Sequence, residues 1–453
     1  MACAGLLCLC SLAYMGGCPQ PEPTPEPTFT PGKYVGAKVS SLESQGCQRC
    51  HSGQHDNWAM TNHSKALDTL KAIGQDKNAF CLPCHTVGFG EEGGFVSETA
   101  SPHLAGVQCE NCHGPGRDHV NNVDDPTKRP PKSIAANICG RCHNGVHHPT
   151  FDEWSDSKHA LVTEELAEEF AEGVNLNNCG LCHSGDVRQV RFIEGEDSVD
   201  ASLLAGKTRE EMNGISCAVC HDPHRQTGNA ASPEAGKDYQ LRYKEVLTPV
   251  ASNEVADCIN PERFNLCGQC HHTRDRTWTA TSRGPHHSVQ VNHYIGEMPT
   301  PDGVPIVPNS RTVHRFVPRQ CTTCHMPTKE FESEEEPAES GHTFEVVTRG
   351  CTAVGCHPSE QQAVADMNTL QTQIQNGLNA IVARLGPVSE WEYSAAEYGG
   401  PSDQSDENVP PQVKKVRFMY HWILNDGSGG VHNPEYTKLM LLQMDLLLKE
   451  IGK

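Results

Sequence analysis

The last hundred residues have a pattern of hydrophobic and polar positions that predicts α-helices. We expect three of them, over Glu360–Leu385, over Gln412–Leu424 and from Pro434 to about Ile451. Asn433 supplies an N-cap for the last helix, and Pro434 takes the first helical position, where its missing N–H is not needed. The whole chain of 453 residues is rich in glycine and proline, and only 6% of its residues are aromatic. We therefore predict a mainly α fold with long irregular loops and few or no strands.

A shorter apolar pattern lies near the N-terminus. It consists of Leu6, Leu7, Leu9, Leu12 and Ala13 and is followed by Gly16, Gly17 and Cys18. This stretch is too short to span a bilayer and predicts an export signal over residues 1–17. The small residues before Cys18, and the Pro/Glu/Thr run from Pro19 to Pro31, favour a lipid-anchored cysteine and a Pro-rich tether over residues 18–40. Met15 and the absence of Lys or Arg in the first residues depart from that pattern, so cleavage without lipidation stays an alternative.

Cysteine and histidine recur in one spacing along most of the chain. Eight segments have the pattern Cys-x-x-Cys-His, and a ninth, Cys351 to His357, has two extra residues between its cysteines. In chain order the cysteine pairs are Cys47/Cys50, Cys81/Cys84, Cys109/Cys112, Cys139/Cys142, Cys179/Cys182, Cys217/Cys220, Cys267/Cys270, Cys321/Cys324 and Cys351/Cys356. The histidines that end the nine motifs are His51, His85, His113, His143, His183, His221, His271, His325 and His357. These motifs use 18 of the 23 cysteines; four others lie in the first 18 residues, and Cys258 is left over.

This spacing indicates covalently attached haem. Two thiols one short turn apart can form thioethers to the two vinyl groups of a haem, and the adjacent imidazole then binds the iron as its proximal ligand. Zinc sites combine two cysteine pairs, or a cysteine pair with a histidine pair, and do not place a histidine directly after the second cysteine nine times. We predict about nine haem c groups, whose porphyrin faces supply much of the apolar core.

The motifs fall into three groups of three, at residues 47–119, 139–224 and 267–357. His55, Trp58 and His63 follow the first motif, His147, Trp154 and His159 follow the fourth, and Trp278, His286 and His287 follow the seventh. Such self-similarity predicts repeated units. We expect tri-haem modules over residues 41–135, 136–250 and 251–358, and a helical C-terminal cap over residues 359–453.

The first module closely resembles the tetrahaem electron-transfer cytochromes of ammonia oxidisers, the cytochrome c-554 and c-prime family. The matching features are the Trp58–His63 segment, Val87-Gly88-Phe89-Gly90, Gly94-Phe95 and the run from Gly106 to Gly116 around Cys109. The resemblance covers about a sixth of the chain, and the second and third modules look like progressively looser versions. In that family the haem of the second motif can lack a protein sixth ligand. Here His103, which the family pattern does not contain, is a candidate to cap that iron; lying at the surface or binding another iron are its alternatives.

Sixteen histidines lie outside the motifs, enough to give every iron a second imidazole. The predicted distal ligands are His63, His119, His159, His224, His342, His432 and one of His286 and His287, of which we choose His287. For His432 the prediction rests on a resemblance of residues 425–434 to the C-terminal region of larger multihaem cytochromes and reductases. Two imidazoles suit an electron carrier, because an enzyme needs one iron with an open face.

We therefore predict a multihaem cytochrome c that transfers electrons in the periplasm or at the outer membrane or cell surface. One alternative is an oxidoreductase that acts on nitrogen or sulfur oxyanions or hydroxylamine at a five-coordinate haem. Some such enzymes replace the motif histidine with lysine, but all nine motifs here end in histidine, and we predict no catalytic residue. Another alternative is a subunit of an extracellular cytochrome filament.

The charge of the chain bears on its partners. The formal net charge of -21 argues against nucleic acid and anionic membrane surfaces and favours a redox partner with a basic docking face. Membrane contact is expected only through the N-terminal lipid anchor, and a homo-oligomer stays open.

Overall fold

The computed structural model describes residues 28–40, 45–230, 238–246, 265–273, 278–279, 284–285, 287–306, 312–353, 355–393, 400–401 and 405–453. The predicted export segment, Cys18, Cys258 and His286 lie outside these residues. In the described ranges, extended pairing is limited to three isolated β-bridges, and the regular structure is helical. The prediction of a mainly α fold with long irregular loops is confirmed.

The α-helices are mostly short before residue 360 and long after it. They are Ser52–Ala59, Ala66–Ala72, Leu82–His85, Cys109–His113, Arg117–Asn121, Asn137–Gly140, Thr150–Ser155, Glu164–Ala171, Gly180–His183, Gly185–Arg188, Cys217–Cys220, Gln290–Ile295, Cys321–His325, Glu360–Leu385, Val388–Trp391, Pro411–Asp426 and Pro434–Glu450. Single 3₁₀ turns are Cys47–Arg49, His63–Lys65, Pro102–Leu104, Pro126–Lys128, Ala201–Leu203, Arg209–Glu211, Cys267–Gln269, Val313–Phe316, Thr348–Thr352 and Asp406–Asn408, and Gln189–Ile193 is a π-helical turn.

The C-terminal helices confirm the sequence prediction closely. The first spans Glu360–Leu385, as predicted, and the other two span Pro411–Asp426 and Pro434–Glu450. The side chain of Asn433 accepts a hydrogen bond from the Tyr436 N–H, as an N-cap should. These helices bury one continuous apolar cluster together with residues 289–306, which therefore pack onto the cap.

Two smaller apolar clusters lie within the regions that carry the motifs. One contains Tyr34, Leu67, Leu70, Leu82, Val87, Phe95 and Leu104, and the other contains Val162, Ala167, Phe170, Leu176, Val187, Val199, Leu204 and Met212. The division into three modules stays a prediction. In the part of the chain that the structure describes, no helix has the length and apolar character to cross a membrane.

A buried carboxylate fixes the segment at residues 34–37 against the third motif. Glu110 accepts hydrogen bonds from the backbone N–H groups of Val35, Gly36 and Gly116, at 2.7 to 3.2 Å. Burial raises the pKa of Glu110, while these three donors and Arg117 oppose that rise. The family-like run around Cys109 thus has a structural role beside its motif.

Candidate haem-binding site

Each motif forms one tight turn of backbone. In the first motif the His51 N–H donates to the Cys47 carbonyl at 3.0 Å, and the fourth, fifth, sixth and seventh motifs repeat this bond between 2.9 and 3.1 Å. Because the two cysteines are three residues apart, this turn brings both thiols to one side with the histidine beneath them. All 18 motif cysteines have free thiols, which stand for the sulfurs that would form thioethers.

Cys50 and Cys356 are exposed, whereas the other sixteen motif cysteines are partly buried. The reason is local, because Cys50 closes the 3₁₀ turn Cys47–Arg49 and the helix that starts directly afterwards exposes its first residues, 52–54. The thioether of Cys50 stays a prediction and would lie at the surface of the protein.

Seven of the motif histidines face a second histidine from elsewhere in the chain. The pairs and their ring-centroid distances are His51–His119 at 6.5 Å, His63–His143 at 6.1 Å, His113–His224 at 6.1 Å, His159–His271 at 6.1 Å, His183–His287 at 5.7 Å, His221–His342 at 6.2 Å and His325–His432 at 6.2 Å. The seven partners are the seven histidines predicted as distal ligands.

These distances fit one iron between the two rings. An imidazole–metal bond is about 2 Å long and a ring centre lies about 1.1 Å beyond its nitrogen, so two imidazoles on opposite sides of a metal have centres about 6.2 Å apart. The observed range of 5.7 to 6.5 Å brackets this value. The residues present therefore fit a haem that is bound by two histidines, at seven of the nine motifs.

The repeat that the sequence predicts has a structural counterpart. Trp58 Nε1 donates to the Val107 carbonyl at 3.0 Å, and Trp154 Nε1 donates to the Ile215 carbonyl at 2.9 Å. Val107 and Ile215 each lie two residues before the third motif of their group. Each also donates its N–H to a distal candidate, since Val107 bonds the His63 carbonyl and Ile215 bonds the His159 carbonyl. The same contacts thus place the corresponding histidine in two successive groups.

The imidazoles are held in orientations that leave one ring nitrogen available. The Nδ1 atoms of His113, His221 and His325 lie 2.6 to 2.9 Å from backbone carbonyl oxygens, so their Nε2 atoms are free to bind a metal. Burial, followed by repulsion from neighbouring histidines, lowers the pKa of His159 and His342 to about 4. Such rings are neutral at pH 7, which is the form that coordinates iron.

His432 has a different partner from the other paired histidines described above. Its Nδ1 atom lies 2.7 Å from Oδ1 of Asp426, whose side chain is almost completely buried. Burial opposes ionisation of Asp426, but His293, His432 and a hydrogen bond from Ser428 outweigh it and keep the pKa of this carboxyl below its usual range. The same carboxylate raises the pKa of His432, against the effect of burial.

Two motif histidines have no second imidazole at this separation among the described residues, namely His85 and His357. His85 Nδ1 lies 2.8 Å from the Ala66 carbonyl, and His357 Nδ1 lies 3.7 Å from Asp366 Oδ2. The backbone next to His103 lies beside the second motif, since the Val87 N–H donates to the Leu104 carbonyl at 3.0 Å. The His103 ring packs edge-on against Phe29, with centroids 5.0 Å apart, and capping of the second iron by His103 stays a prediction.

Two histidines that the sequence did not single out as ligands lie near these motifs. His314 lies near His357, whose charge lowers the pKa of His314 in addition to the larger effect of burial. The Nδ1 atom of His314 lies 3.1 Å from the Val431 carbonyl oxygen. His148 is likewise within electrostatic reach of His85. Neither position follows the repeat, so the sequence held no signal for them.

Cysteines of different motifs lie close to one another. The closest pairs are Cys47–Cys109, Cys84–Cys142, Cys139–Cys217, Cys182–Cys270, Cys267–Cys321 and Cys324–Cys351. Cys112 lies within electrostatic reach of Cys139, and Cys220 lies within reach of Cys270. Together these six close pairs and two longer-range neighbours link all nine motifs in one series. Its order is first, third, fourth, sixth, seventh, eighth and ninth, with the second motif beside the fourth and the fifth beside the seventh.

Comparison with known proteins gives three similarities. The family model described as cytochrome c554 and c-prime matches residues 46–114. Cytochrome c-554 of Nitrosomonas europaea is 36% identical over 185 residues, which cover 31% of this chain and 78% of that protein. The C-type polyheme cytochrome OmcC of Geobacter sulfurreducens is 26% identical over 231 residues, which cover 48% of this chain and 29% of that protein.

One solved structure shares the fold over most of the chain. The outer cell wall cytochrome OcwA superposes with a TM-score of 0.56 at 18% sequence identity, over 92% of this chain and 100% of that one.

Proposed function

The chain belongs to the cytochrome c554 and c-prime family of multihaem cytochromes c, and we propose that it transfers electrons through nine covalently bound haems. Each haem, when bound, supplies a reversible one-electron iron couple and exchanges electrons with its neighbours. The observation that carries the proposal is the set of seven histidine pairs at a separation that suits one iron each.

The histidine pairs support assignment of the distal ligands. In this assignment the second iron ligand comes from a histidine outside the motifs. For the irons at His51, His113, His143, His183, His221, His271 and His325, these ligands are, in the same order, His119, His224, His63, His287, His342, His159 and His432. The carbonyls near Nδ1 of His113, His221 and His325 keep these three rings in one orientation. A ligand set that stays fixed suits electron transfer, because it needs little rearrangement when the iron changes its oxidation state.

The continuous series of motifs supports transfer along the length of the chain. The proximity of the cysteines leaves no motif isolated from the others. Seven motifs, from the first to the ninth, form the main path, and the second and fifth motifs are side branches at the fourth and seventh. The exposed cysteines Cys50 and Cys356 lie in the first and ninth motifs, so a redox partner could approach the path at either end.

We further propose that the chain acts outside the cytoplasm, in the periplasm or at the cell surface, tethered through Cys18. Thioether attachment of haem is chemistry of exported chains, and the apolar N-terminal stretch agrees with it. The net charge of -21 favours a redox partner with a basic docking face.

Coulometric titration of the haem-loaded full-length protein tests the function. The protein should take up nine electrons per chain and should return them to an added soluble ferric complex. A chain that takes up clearly fewer than nine, or that cannot reduce the ferric complex, would contradict the proposal.

A second candidate function is chemistry on a small ligand at the haem of the second motif. It is favoured by His85, which has no paired imidazole among the described residues, and by the branch position of its motif at Cys142. Carbon monoxide binding to one haem of the reduced protein, removed by replacing Cys81 and Cys84 with serine, would support it. A reduced protein that binds no carbon monoxide would exclude it.

A further inference from the structure

The pair formed by His325 and His432 differs in charge on its two sides. Oδ1 of Asp426 lies 2.7 Å from His432 Nδ1, and the Asp426 side chain is 1% exposed. On the other side, His325 Nδ1 lies 2.9 Å from the carbonyl oxygen of Phe344. A carboxylate carries a full negative charge, whereas a carbonyl carries only a dipole, so the two imidazoles experience different fields.

Of the two histidines near Asp426, His432 is within hydrogen-bond distance of the carboxylate and His293 is not. The other nearby histidine, His293, receives a hydrogen bond from Trp422 Nε1 on its Nδ1 atom at 3.0 Å, so its neutral form has its proton on Nε2. That Nε2 atom is 4.0 Å from Asp426, beyond hydrogen-bond distance. The hydroxyl and the N–H of Ser428 also donate to the carboxylate. In the described part of the chain, no Lys or Arg forms an ion pair with Asp426.

The local backbone brings this carboxylate to the ligand. Asp426 is the last residue of the helix Pro411–Asp426, and Gly427 follows it in the left-handed conformation with φ of 74°. The loop then returns His432 to the same point. A negative charge at a helix C-terminus is unfavourable because it meets the negative end of the helix dipole. An acid kept buried in that place therefore contributes something other than helix stability.

We infer that Asp426 is a positioning residue that lowers the reduction potential of the haem at Cys321, Cys324 and His325. A carboxylate behind a ligating histidine fixes the ring and makes it a stronger electron donor to the metal, which stabilises the oxidised iron. This inference rests on the proposed function, since it requires His432 to bind that iron.

The eighth motif, which Asp426 affects, lies between two other motifs in the series. Cys321 lies close to Cys267 of the seventh motif, and Cys324 lies close to Cys351 of the ninth. The haem whose potential Asp426 lowers is thus between the ninth motif and the rest of the series. Exchange between the C-terminal haem and the others has to cross this low-potential position.

Asp366 offers an internal comparison. Its Oδ2 atom is 3.7 Å from His357 Nδ1, which is not a hydrogen bond, and its side chain is 53% exposed. Water screens an exposed charge, so Asp366 should influence its haem much less than Asp426 does.

Potentiometric titration of the full-length holoprotein, followed by electron paramagnetic resonance, tests the inference on the variant Asp426→Asn. Asparagine keeps the size of the side chain and can still accept a hydrogen bond from His432, but it carries no charge. One low-spin haem signal should shift to higher potential while the others stay unchanged. Asp366→Asn, the matched control, should leave all signals near their wild-type potentials.

Two further variants separate the possible outcomes. His432→Ala should convert one haem to high spin; if it does not, the proposed ligation is wrong. If His432→Ala opens a site but Asp426→Asn moves no potential, only the inference about Asp426 is overturned. If the intact mass shows that the Asp426→Asn variant has lost haem, the Ser428→Ala variant is measured in its place. Loss of the Ser428 hydroxyl leaves more of the charge to His432 and should lower the same potential, so an unchanged potential overturns the inference.

Discussion

Burial of a neutral imidazole costs free energy unless a partner binds its unprotonated nitrogen. His159 is an example in this chain. Burial, and then His271 and His342, lower the pKa of His159 to about 4. Its ring lies 6.1 Å from that of His271. At pH 7 His159 is therefore neutral and has a nitrogen lone pair for an iron between the two rings.

The variant His159→Ala should leave the iron at His271 with one protein ligand. We expect one additional high-spin ferric haem, and carbon monoxide binding at one additional haem after reduction. His147→Ala is the control, because His147 is exposed and packs on Phe331 without facing a motif histidine. Unchanged spin states in His159→Ala would show that His159 is not an iron ligand.

The sequence indicated which histidines to consider because they recur at fixed places after the motifs. It could not indicate their partners. His159 and His271 lie in different groups, and only the tertiary packing decides which rings meet. The same limit applies to Asp426, whose contact with His432 depends on the loop in which Gly427, Gly429 and Gly430 have positive φ. The exposure of Cys50 was equally invisible, because its motif has the same spacing as the partly buried ones.

Among the elements, the C-terminal helices were predictable because their signals are local. Asn433 caps its helix by accepting from the Tyr436 N–H, and it also donates to the His293 carbonyl at 3.1 Å while fully buried. The helices around the motifs are mostly four to eight residues long. Such short helices are set by tertiary contacts, and periodicity cannot predict them.

Replacement of Asn433 by alanine should destabilise the cap. The variant loses the N-cap acceptor and leaves the His293 carbonyl without this donor, which costs about 1–3 kcal/mol in the free energy of unfolding. Chemical denaturation followed by circular dichroism measures it. Asp125→Ala removes an N-cap from the exposed turn Pro126–Lys128 and serves as control. Equal losses in both variants would contradict the structural role given to Asn433.

At the scale of the whole molecule, the predicted modules interlock. Six of the seven histidine pairs join residues from different predicted modules or from a module and the cap, and only His51–His119 lies within one. Neighbouring predicted modules therefore supply each other with histidines that face motif histidines. The repeat was visible in the sequence, but this exchange of histidines was not.

Haem stoichiometry is the simplest test at this scale. The intact mass of the mature protein should exceed that of the polypeptide by nine haems. Replacing Cys351 and Cys356 by serine should reduce the number to eight, because both thioethers of the expanded motif are then lost. Cys258→Ser, which alters a cysteine outside every motif, should leave nine. A wild-type mass that corresponds to eight haems would remove the ninth motif from the series.

We have proposed that paired histidines bind the irons of a connected series of haems. Near-infrared magnetic circular dichroism of the oxidised holoprotein measures this ligation, because low-spin haems with two histidine ligands give a charge-transfer band whose intensity counts them. Seven described pairs predict an intensity equivalent to at least seven such haems per chain. An intensity that corresponds to fewer than seven would contradict the assignment of these pairs as iron ligands.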